Sequence, residues 1–360
     1  MSEEKKRVLL AASCDWTGTA RLPQFLARAG LEVSLLHDGA AHAAASSHLT
    51  RVVAVAGGPA AIVDALSSLA DEYDRVVVAD EPLVEALCAR ASEPWTRDLL
   101  PSRDIESVRA LVDKTRFALR AGEAGLPRPA CAVVRGPDEL EAAVGRIGLP
   151  VMVKGARGMA GSTVRRAAGL KEALAGAAEI GEWPLLIEEA VAGPVAMVPG
   201  LFAQGRLVAG FVGEKVTLVR PEGPSAIVRV CAGRAAEIDL AMRAGHVFAL
   251  DGFASLDVIC APSRGPVLLE INPRPVPALR LGRHAGVDMA RAFADLLEGR
   301  LPNGPTVPVR DAVARQFPQE LQRLRHEFGR MAGTLRWALD PREWRELPWD
   351  DMGLLREYLR

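Results

Sequence analysis

The apolar and polar residues of the first hundred positions alternate between two kinds of segment. Short apolar runs typical of buried strands are RVLLAA, LEVSLLH and DRVVVAD, and the helix-like segments TARLPQFLARAG and PAAIVDALSSLADE lie between them. This alternation predicts a parallel sheet covered by helices. The turn after the first strand, SCDWTGTARL, lacks the Gly-x-Gly-x-x-Gly pattern of dinucleotide-binding proteins, so that function is not indicated.

The pattern changes near Pro101, where a helix carrying Asp113 and Lys114 ends at the loop GLPRP. Four strand candidates and two helices follow at about 130–190, a unit the size of a small mobile lobe. A meander, a helix and a hairpin come next, and the last sixty residues predict helices packed on the main body. We therefore expect an α/β chain with α+β character in its middle part. The predicted divisions are residues 1–100, 101–300 and 301–360.

The segment FASLDVICAPSRGPVLLEINPRP predicts a β-hairpin, because Pro-Ser-Arg-Gly at 262–265 separates two runs rich in Leu, Val and Ile. Pairing Pro262 with Gly265 places Asp257 opposite Glu270. It also places Ser255 opposite Asn272. One face of this hairpin is then almost wholly apolar and suited to a core. Its residues are Ala254, Leu256, Val258, Cys260, Val267, Leu269 and Ile271.

The opposite face of the hairpin carries Asp257, Glu270 and Asn272. Two carboxylates directly opposite each other are destabilising unless a cation lies between them. These three side chains offer only hard oxygen ligands, which favours Mg²⁺ or Mn²⁺ over zinc. The alternative is an acidic strand face exposed to water, and the hairpin alone does not decide between the two.

A second candidate site is the glycine-rich segment LPVMVKGARGMAGSTVRR. A strand ends at Lys154, and the loop that follows contains Gly155, Gly158, Gly161 and Ser162. Glycine lets backbone N–H groups approach phosphate oxygens, and a lysine adds a positive charge. No Gly-Lys-Ser/Thr closes the loop, so this is not a Walker A motif. The alternative is a glycine-rich hairpin without function.

The composition restricts the classes of partner. The 360 residues have a formal net charge of −1, which gives no overall reason to expect a nucleic acid or an acidic membrane. No apolar stretch is long enough to span a bilayer, and the N-terminus does not resemble a signal peptide, so we expect a cytoplasmic protein. Five scattered cysteines without a Cys-x-x-Cys pair indicate neither disulfides nor a zinc site.

The order of these motifs resembles the ATP-grasp superfamily. The resemblance covers about 113–300 and rests on DK before the helix ending in GLPRP, then LPVMVKGARGMAGS, LLIEEAVAG, ASLDVIC and LLEINPRP. Within the superfamily, the chain is most similar to the branch of carbamoyl phosphate synthetase and biotin carboxylase. The resemblance implies a Rossmann-like N-terminal domain, a mobile lid lobe and C-terminal helices.

The resemblance also implies roles for individual residues. Lys114 and Lys154 correspond to the lysines that hold the ATP phosphates, and the loop from Gly155 to Ser162 to the flexible loop that covers them. The strand and hinge at Leu186, Ile187, Glu188, Glu189 and Val191 would bind adenine, with Glu188, Glu189 and Val191 as its contacts. The implied metal ligands are Asp257, Glu270 and Asn272, and the implied contact with the reacting anion is Arg274. Arg229 lies in a segment similar to one in which an arginine meets the substrate carboxylate, and the alternative is a surface arginine.

Two positions depart from the family pattern. Val195 stands where family members often have a glutamate for the ribose hydroxyls, and Asp257 stands where glutamate is commoner. On the substrate side of the cleft, Asp15, Trp16 and Thr17 lie at the end of the first strand, where open parallel sheets bind ligands. The segment with Arg280, Arg283 and His284 is either part of the acceptor pocket or a solvated helix start.

The function implied by the resemblance is an ATP- and Mg²⁺-dependent ligase. It would activate a small-molecule carboxylate as an acyl phosphate and join it to an amine or ammonia, and a homodimer is compatible with this activity. No sequence signature supplies a protein nucleophile, which agrees with attack by the substrate itself. The alternatives are a carboxylase or kinase with the same nucleotide site, or a nucleotide-binding subunit without catalysis.

Overall fold

The computed structural model describes residues 5–16, 18–158, 161–220 and 223–359. Its N-terminal sheet has four parallel strands in the order β3-β2-β1-β4, so the predicted parallel sheet is confirmed. Its strands are β1 (Arg7–Ala12), β2 (Glu32–His37), β3 (Leu49–Ala54) and β4 (Arg75–Val78). Its helices are α1 (Leu22–Ala27), α2 (Ala41–Ala44), α3 (Gly58–Leu69) and α4 (Glu81–Ala89), with 3₁₀ helices Thr19–Arg21, Ala70–Glu72 and Pro94–Leu99. Strand β3 was not predicted, because it is a mostly exposed edge strand without a buried apolar run.

The second sheet forms the lobe predicted at about 130–190. Helices α5 (Ile105–Leu111) and α6 (Lys114–Glu123) precede it. Its elements are β5 (Cys131–Val134), α7 (Pro137–Ile147), β6 (Val151–Gly155), β7 (Val164–Ala167), α8 (Leu170–Ile180) and β8 (Leu185–Glu189). The strands are antiparallel in the order β5-β8-β6-β7, and both helices pack on them through a separate apolar core. The four strands and two helices are those that the sequence predicts.

The third sheet is antiparallel and runs in the order β14-β13-β9-β11-β12-β15, with β10 paired to β9. Its elements are β9 (Val195–Ala203), β10 (Arg206–Gly210), β11 (Val212–Leu218), β12 (Ser225–Cys231), α9 (Ala235–Val247), β13 (Gly252–Ala261), β14 (Gly265–Asn272) and β15 (Ala312–Arg315). Ala196 and Val258 belong to the core under α9, whereas Met197 and Val230 belong to the core shared with the N-terminal sheet. The two faces of this sheet therefore have separate environments.

The remaining elements follow the hairpin. They are a 3₁₀ helix (Pro277–Ala285), α10 (Met289–Leu297), α11 (Gln319–Phe328), α12 (Arg330–Leu339), a 3₁₀ helix (Pro341–Glu346) and α13 (Met352–Leu359). The predicted C-terminal helices are confirmed, but β15 was missed and extends the third sheet beside β12. Across the described residues, no helix combines the length and the apolar character needed to cross a membrane.

Candidate active site

The hairpin β13–β14 places its carboxylates as the sequence predicts. Asp257 pairs with Glu270 and Ser255 pairs with Asn272. The register then shifts by one residue, so that Val258 pairs with Leu268 and the turn is closed by Ala261 and Gly265. The expected pairing of Pro262 with Gly265 is therefore wrong.

The register shift is a β-bulge, which adds an unpaired residue to one strand of a ladder. It makes Leu269 the extra residue of β14, and Leu268 takes its expected place in the apolar core under α9. The other expected apolar residues of β13 still line that core, with Cys260 packed at its edge.

The electrostatics of the carboxylate pair fit a bound cation. Burial raises the pKa of Glu270, and the neighbouring Asp257 carboxylate raises it further, although Lys114 and Lys154 act in the opposite direction. No group of three or more His, Cys, Asp or Glu residues suited to a metal occurs in the described residues. Two carboxylates and the Asn272 amide instead form an incomplete oxygen set, which suits Mg²⁺ that also binds nucleotide phosphates.

Lys154 lies at the end of β6 and forms an ion pair with Glu188 of β8. The distance from Lys154 Nζ to Glu188 Oε2 is 2.5 Å, and Arg128 Nη2 donates a hydrogen bond of 2.8 Å to Glu188 Oε1. Glu188 is almost fully buried, so its charge needs these two partners. Arg128 was not predicted, since nothing in its local sequence distinguishes it from a surface arginine.

The glycine loop after β6 is closed by Lys114, whose Nζ donates to the Gly158 carbonyl at 2.8 Å. The Lys114 backbone N–H also donates to the Ala156 carbonyl at 2.8 Å. Gly158 has φ +129°, and a Cβ there would collide with the Thr163 side chain. Glycine is therefore required at this position, which leaves backbone groups open to a ligand.

Other residues of the loop are less constrained in the structure. Gly161 also has a positive φ, of +76°, and the exposed Ser162 accepts a hydrogen bond from Arg165 Nη1 through its carbonyl at 2.9 Å. A Cβ on Gly155 would approach Thr163 to 3.0 Å. Residues 159 and 160, which the sequence also places in this loop, lie outside the described residues.

The hinge after β8 offers a donor and an acceptor side by side. The Val191 backbone N–H donates to the Glu189 carbonyl at 3.0 Å, so a planar ligand edge with complementary groups could replace this bond. The Glu189 carboxylate is bound by Arg264 at the tip of the β13–β14 hairpin, at 2.7 Å. Val195, at the position where a ribose contact is expected, is 40 % exposed and offers no polar side-chain group.

Arg274 follows β14 and is held by residues of the N-terminal sheet. Its Nε donates to Glu81 Oε1 at 3.2 Å, and its guanidinium lies 4.4 Å from the centre of the Trp16 ring. Glu81 and Trp16 lie at the carboxyl ends of β4 and β1, where the sequence predicts substrate contacts. Thr17 lies outside the described residues.

The chain was compared with known proteins. No protein-family model matches it, and no curated protein matches its sequence. Solved structures match at low identity. N5-carboxyaminoimidazole synthetase from Staphylococcus aureus has a TM-score of 0.70 at 14% identity and covers 91% of this chain and 88% of its own.

Two further structures share this architecture. L-amino acid ligase from Bacillus licheniformis has a TM-score of 0.64 at 17% identity, with 88% of this chain and 81% of that chain covered. Biotin carboxylase from Campylobacter jejuni, solved as a β-γ-ATP complex, has a TM-score of 0.66 at 16% identity, with 83% and 72% covered. This chain has the ATP-grasp fold.

Arg229 does not lie beside Asp257 and Glu270, the carboxylate pair of the third sheet. Asp257 pairs with Met197 and Met197 with Gly213, whereas Arg229 pairs with Glu214, one residue further along β11. Adjacent residues of a strand point to opposite faces, so Arg229 lies on the face opposite Asp257. There it is half exposed and lies 3.6 Å from Glu214 Oε2.

The basic side chains of the segment Arg280–His284 contact Glu346, a residue of the C-terminal part of the chain. Glu346 Oε2 accepts a hydrogen bond from Arg280 Nε at 3.0 Å, and Glu346 Oε1 lies 2.5 Å from His284 Nε2. Glu346 is almost fully buried. These side chains form an ion network around Glu346 in which Arg280 is buried and Arg283 and His284 are partly exposed.

Proposed function

We propose that this ATP-grasp chain is an ATP- and Mg²⁺-dependent ligase that joins a carboxylate to an amine or ammonia. One observation supports this proposal most strongly. The carboxylate pair at Asp257 and Glu270 faces Lys114 and Lys154 closely enough for both lysines to affect the pKa of Glu270. This influence supports a site in which the carboxylate pair would bind a metal and the two lysines would bind phosphates.

In the proposed complex, ATP lies between the lid lobe and the third sheet. Lys114 and Lys154 would hold the phosphates, with Gly155, Gly158, Gly161 and Ser162 covering them. At the hinge, Glu188, the Glu189 carbonyl and the Val191 N–H would bind adenine. Each lysine already has a partner, Gly158 for Lys114 and Glu188 for Lys154, so nucleotide binding would exchange these contacts.

Asp257, Glu270 and Asn272 would hold the magnesium ion, which supplies charge neutralisation at the phosphate oxygens. Their oxygens fit this ion by type, and burial together with the Asp257 carboxylate raises the pKa of Glu270, an effect that a bound cation would oppose. The shorter Asp257 is compatible with the waters that magnesium commonly keeps.

The proposed reaction has two steps. The substrate carboxylate oxygen attacks the γ-phosphorus, and ADP leaves with the electrons of the broken P–O bond. The amine nitrogen then attacks the acyl carbon, and phosphate leaves as the amine loses a proton. Arg274, held between Glu81 and Trp16, would face the anionic substrate, and closure of the lid lobe would exclude water from the acyl phosphate.

An ADP-release screen tests this function. Purified protein, ATP and Mg²⁺ are combined with a panel of carboxylic acids and a panel of amines, and ADP, phosphate and amide are quantified together. We expect one pairing to give the three products in equal amounts. Glu270→Gln should abolish this turnover, and Glu141→Gln, a matched change at an exposed position of α7, should not.

Other products of the same screen would contradict the proposal. AMP and pyrophosphate would exclude an acyl phosphate. ADP release that depends on bicarbonate without an amine would indicate a carboxylase, the activity named for one of the similar structures. Tight ATP binding without turnover on any pairing would indicate a nucleotide-binding subunit.

A further inference from the structure

Asp257 already has a cationic partner within the protein. Lys215 Nζ donates a hydrogen bond of 3.1 Å to Asp257 Oδ1, and the two side chains are 22 % and 21 % exposed. The contact follows from strand register. Gly213 pairs with Met197, which pairs with Asp257, and Lys215 lies two residues beyond Gly213 on the same face of β11.

The two carboxylates, Asp257 and Glu270, differ in whether they have an ion-pair partner. Within the described part of the chain, Asp257 has the Lys215 ammonium as an ion-pair partner, and Glu270 has no ion-pair partner within 4 Å. An ammonium this close occupies a lone pair of Asp257 that a metal ion would use, and its charge repels a divalent cation. A metal ion that binds Asp257 through Oδ1 must therefore displace Lys215, and one that binds through Oδ2 meets the repulsion of the ammonium.

We propose that Lys215 is the resident counter-ion of Asp257 and that its displacement makes the site select a metal–nucleotide complex over the free metal ion. This inference rests on the proposed function of the cleft. Free metal that displaces Lys215 leaves the ammonium without a partner in a partly buried site, which opposes binding. A metal–nucleotide complex brings anionic phosphate oxygens that can accept the displaced ammonium, so the opposition is smaller.

Substitution of Lys215 tests whether it acts as the counter-ion of Asp257 or only as a contact for nucleotide phosphates. We expect Lys215→Met to tighten the binding of free Mn²⁺ about two- to fivefold, the range for loss of a competing, partly exposed ion pair. Binding of Mn²⁺–ADP should change less, so the preference for the complex should fall. Lys215→Arg keeps the positive charge and should keep the wild-type preference.

The measurement is a titration of Mn²⁺, with and without ADP, followed by the electron paramagnetic resonance signal of the free ion. Thermal unfolding with and without Mn²⁺ provides a second readout and shows that each variant is folded, since a ligand that binds the native state raises its stability. Lys171→Met, at an exposed position of α8, is the matched control. In an Asp257→Asn background, Lys215→Met should raise Mn²⁺ affinity less than it does in the wild type, because only the repulsion by the ammonium remains to be removed.

The outcomes distinguish this inference from the proposed function. If the wild type binds Mn²⁺–ADP but Lys215→Met binds free Mn²⁺ no more tightly, the counter-ion role is overturned and the proposed function stands. An equal gain in the Asp257→Asn background would also overturn it. If neither protein binds Mn²⁺–ADP, the nucleotide and metal assignments fail together.

Discussion

Glu346 is an almost fully buried carboxylate and Glu270 a partly buried one, and the protein surrounds them in opposite ways. Glu346 has three basic neighbours, with Arg280 at 3.0 Å, Arg283 at 3.2 Å and His284 at 2.5 Å. Burial alone would raise the pKa of Glu346. The hydrogen bond with His284 and the charges of the two arginines outweigh burial and hold this pKa well below its ordinary value.

Glu270 instead faces a second carboxylate, Asp257, and its pKa is raised. A buried charge that the protein itself neutralises stabilises the fold. A buried charge left without a near partner lowers stability, and such positions are common at functional sites. The comparison therefore indicates a structural role for Glu346 and supports the proposed ligand-binding role of Glu270, although both are acidic residues near the end of a secondary-structure element.

The largest effect is expected at Glu346. Glu346→Gln should lower the free energy of unfolding by about 3–5 kcal/mol, because it leaves buried arginines without their counter-ion. Urea denaturation of the purified variant measures this loss, with Glu141→Gln as the isosteric control on an exposed helix position. A loss below about 1 kcal/mol is typical of exposed ion pairs. It would mean that the Glu346 network contributes little to stability and would contradict the structural role given to Glu346.

Glu270→Gln should have the opposite profile. Turnover should fall by at least about a hundredfold, the typical cost of losing one electrostatic contact with the transition state. The nucleotide-free protein should become more stable, because the change removes like-charge repulsion within the hairpin. Activity assays and thermal unfolding of the same preparation test both parts, and near-normal turnover would remove the metal assignment.

The pH dependence of the free energy of unfolding should reveal the contribution of Glu346. A carboxylate whose pKa is lower in the folded state contributes stability above its unfolded pKa, about 4.3, and loses it as pH falls towards the folded value. The difference in unfolding free energy between wild type and Glu346→Gln should therefore be constant near neutrality and shrink in acid. Urea denaturation from pH 7 to pH 3 measures this difference.

Other carboxylates also change the stability of the protein with pH, and the difference between wild type and Glu346→Gln cancels their contribution. Burial raises the pKa of Glu343 to about 7, so this neighbour changes the stability of both proteins between neutral and acid pH. A difference that grows in acid would mean that Glu346 is protonated in the folded protein at neutral pH. That result would contradict the assigned ion network.

The sequence predicted the parts of the site that depend on local pattern. The predicted pairing of Asp257 with Glu270 is found in the structure, but the predicted closing pair of the turn is wrong, and the one-residue register shift at the bulge restores the Asp257–Glu270 pairing. The bulge at Leu269 was not predicted, since the alternation continues through it without a Gly or Pro to mark it. The glycine loop was likewise predictable from its residue types alone.

Contacts between distant segments could not be predicted. Lys215 and Asp257 are 42 residues apart, and Arg280 and Glu346 are 66 apart. Their pairing depends on strand order in the third sheet and on where the C-terminal part of the chain packs. The periodicity of a single segment shows neither the strand order nor this packing. Each ion pair involves one charged residue from each of two segments, and one charged residue leaves no pattern.

The smallest effect is expected at Arg229, which the sequence placed among the catalytic residues. Arg229→Gln should change turnover less than about twofold, under about 0.4 kcal/mol of transition-state stabilisation, since its side chain lies on the sheet face opposite Asp257. Its pair with Glu214 is half exposed at 3.6 Å, so the loss in stability should stay within about 1 kcal/mol. Steady-state kinetics beside Arg274→Gln, expected to lose far more activity, measure the contrast. A hundredfold loss at Arg229 would instead mean that the strand carrying it rearranges when substrates bind, and the assignment of the two sheet faces would no longer describe the working protein.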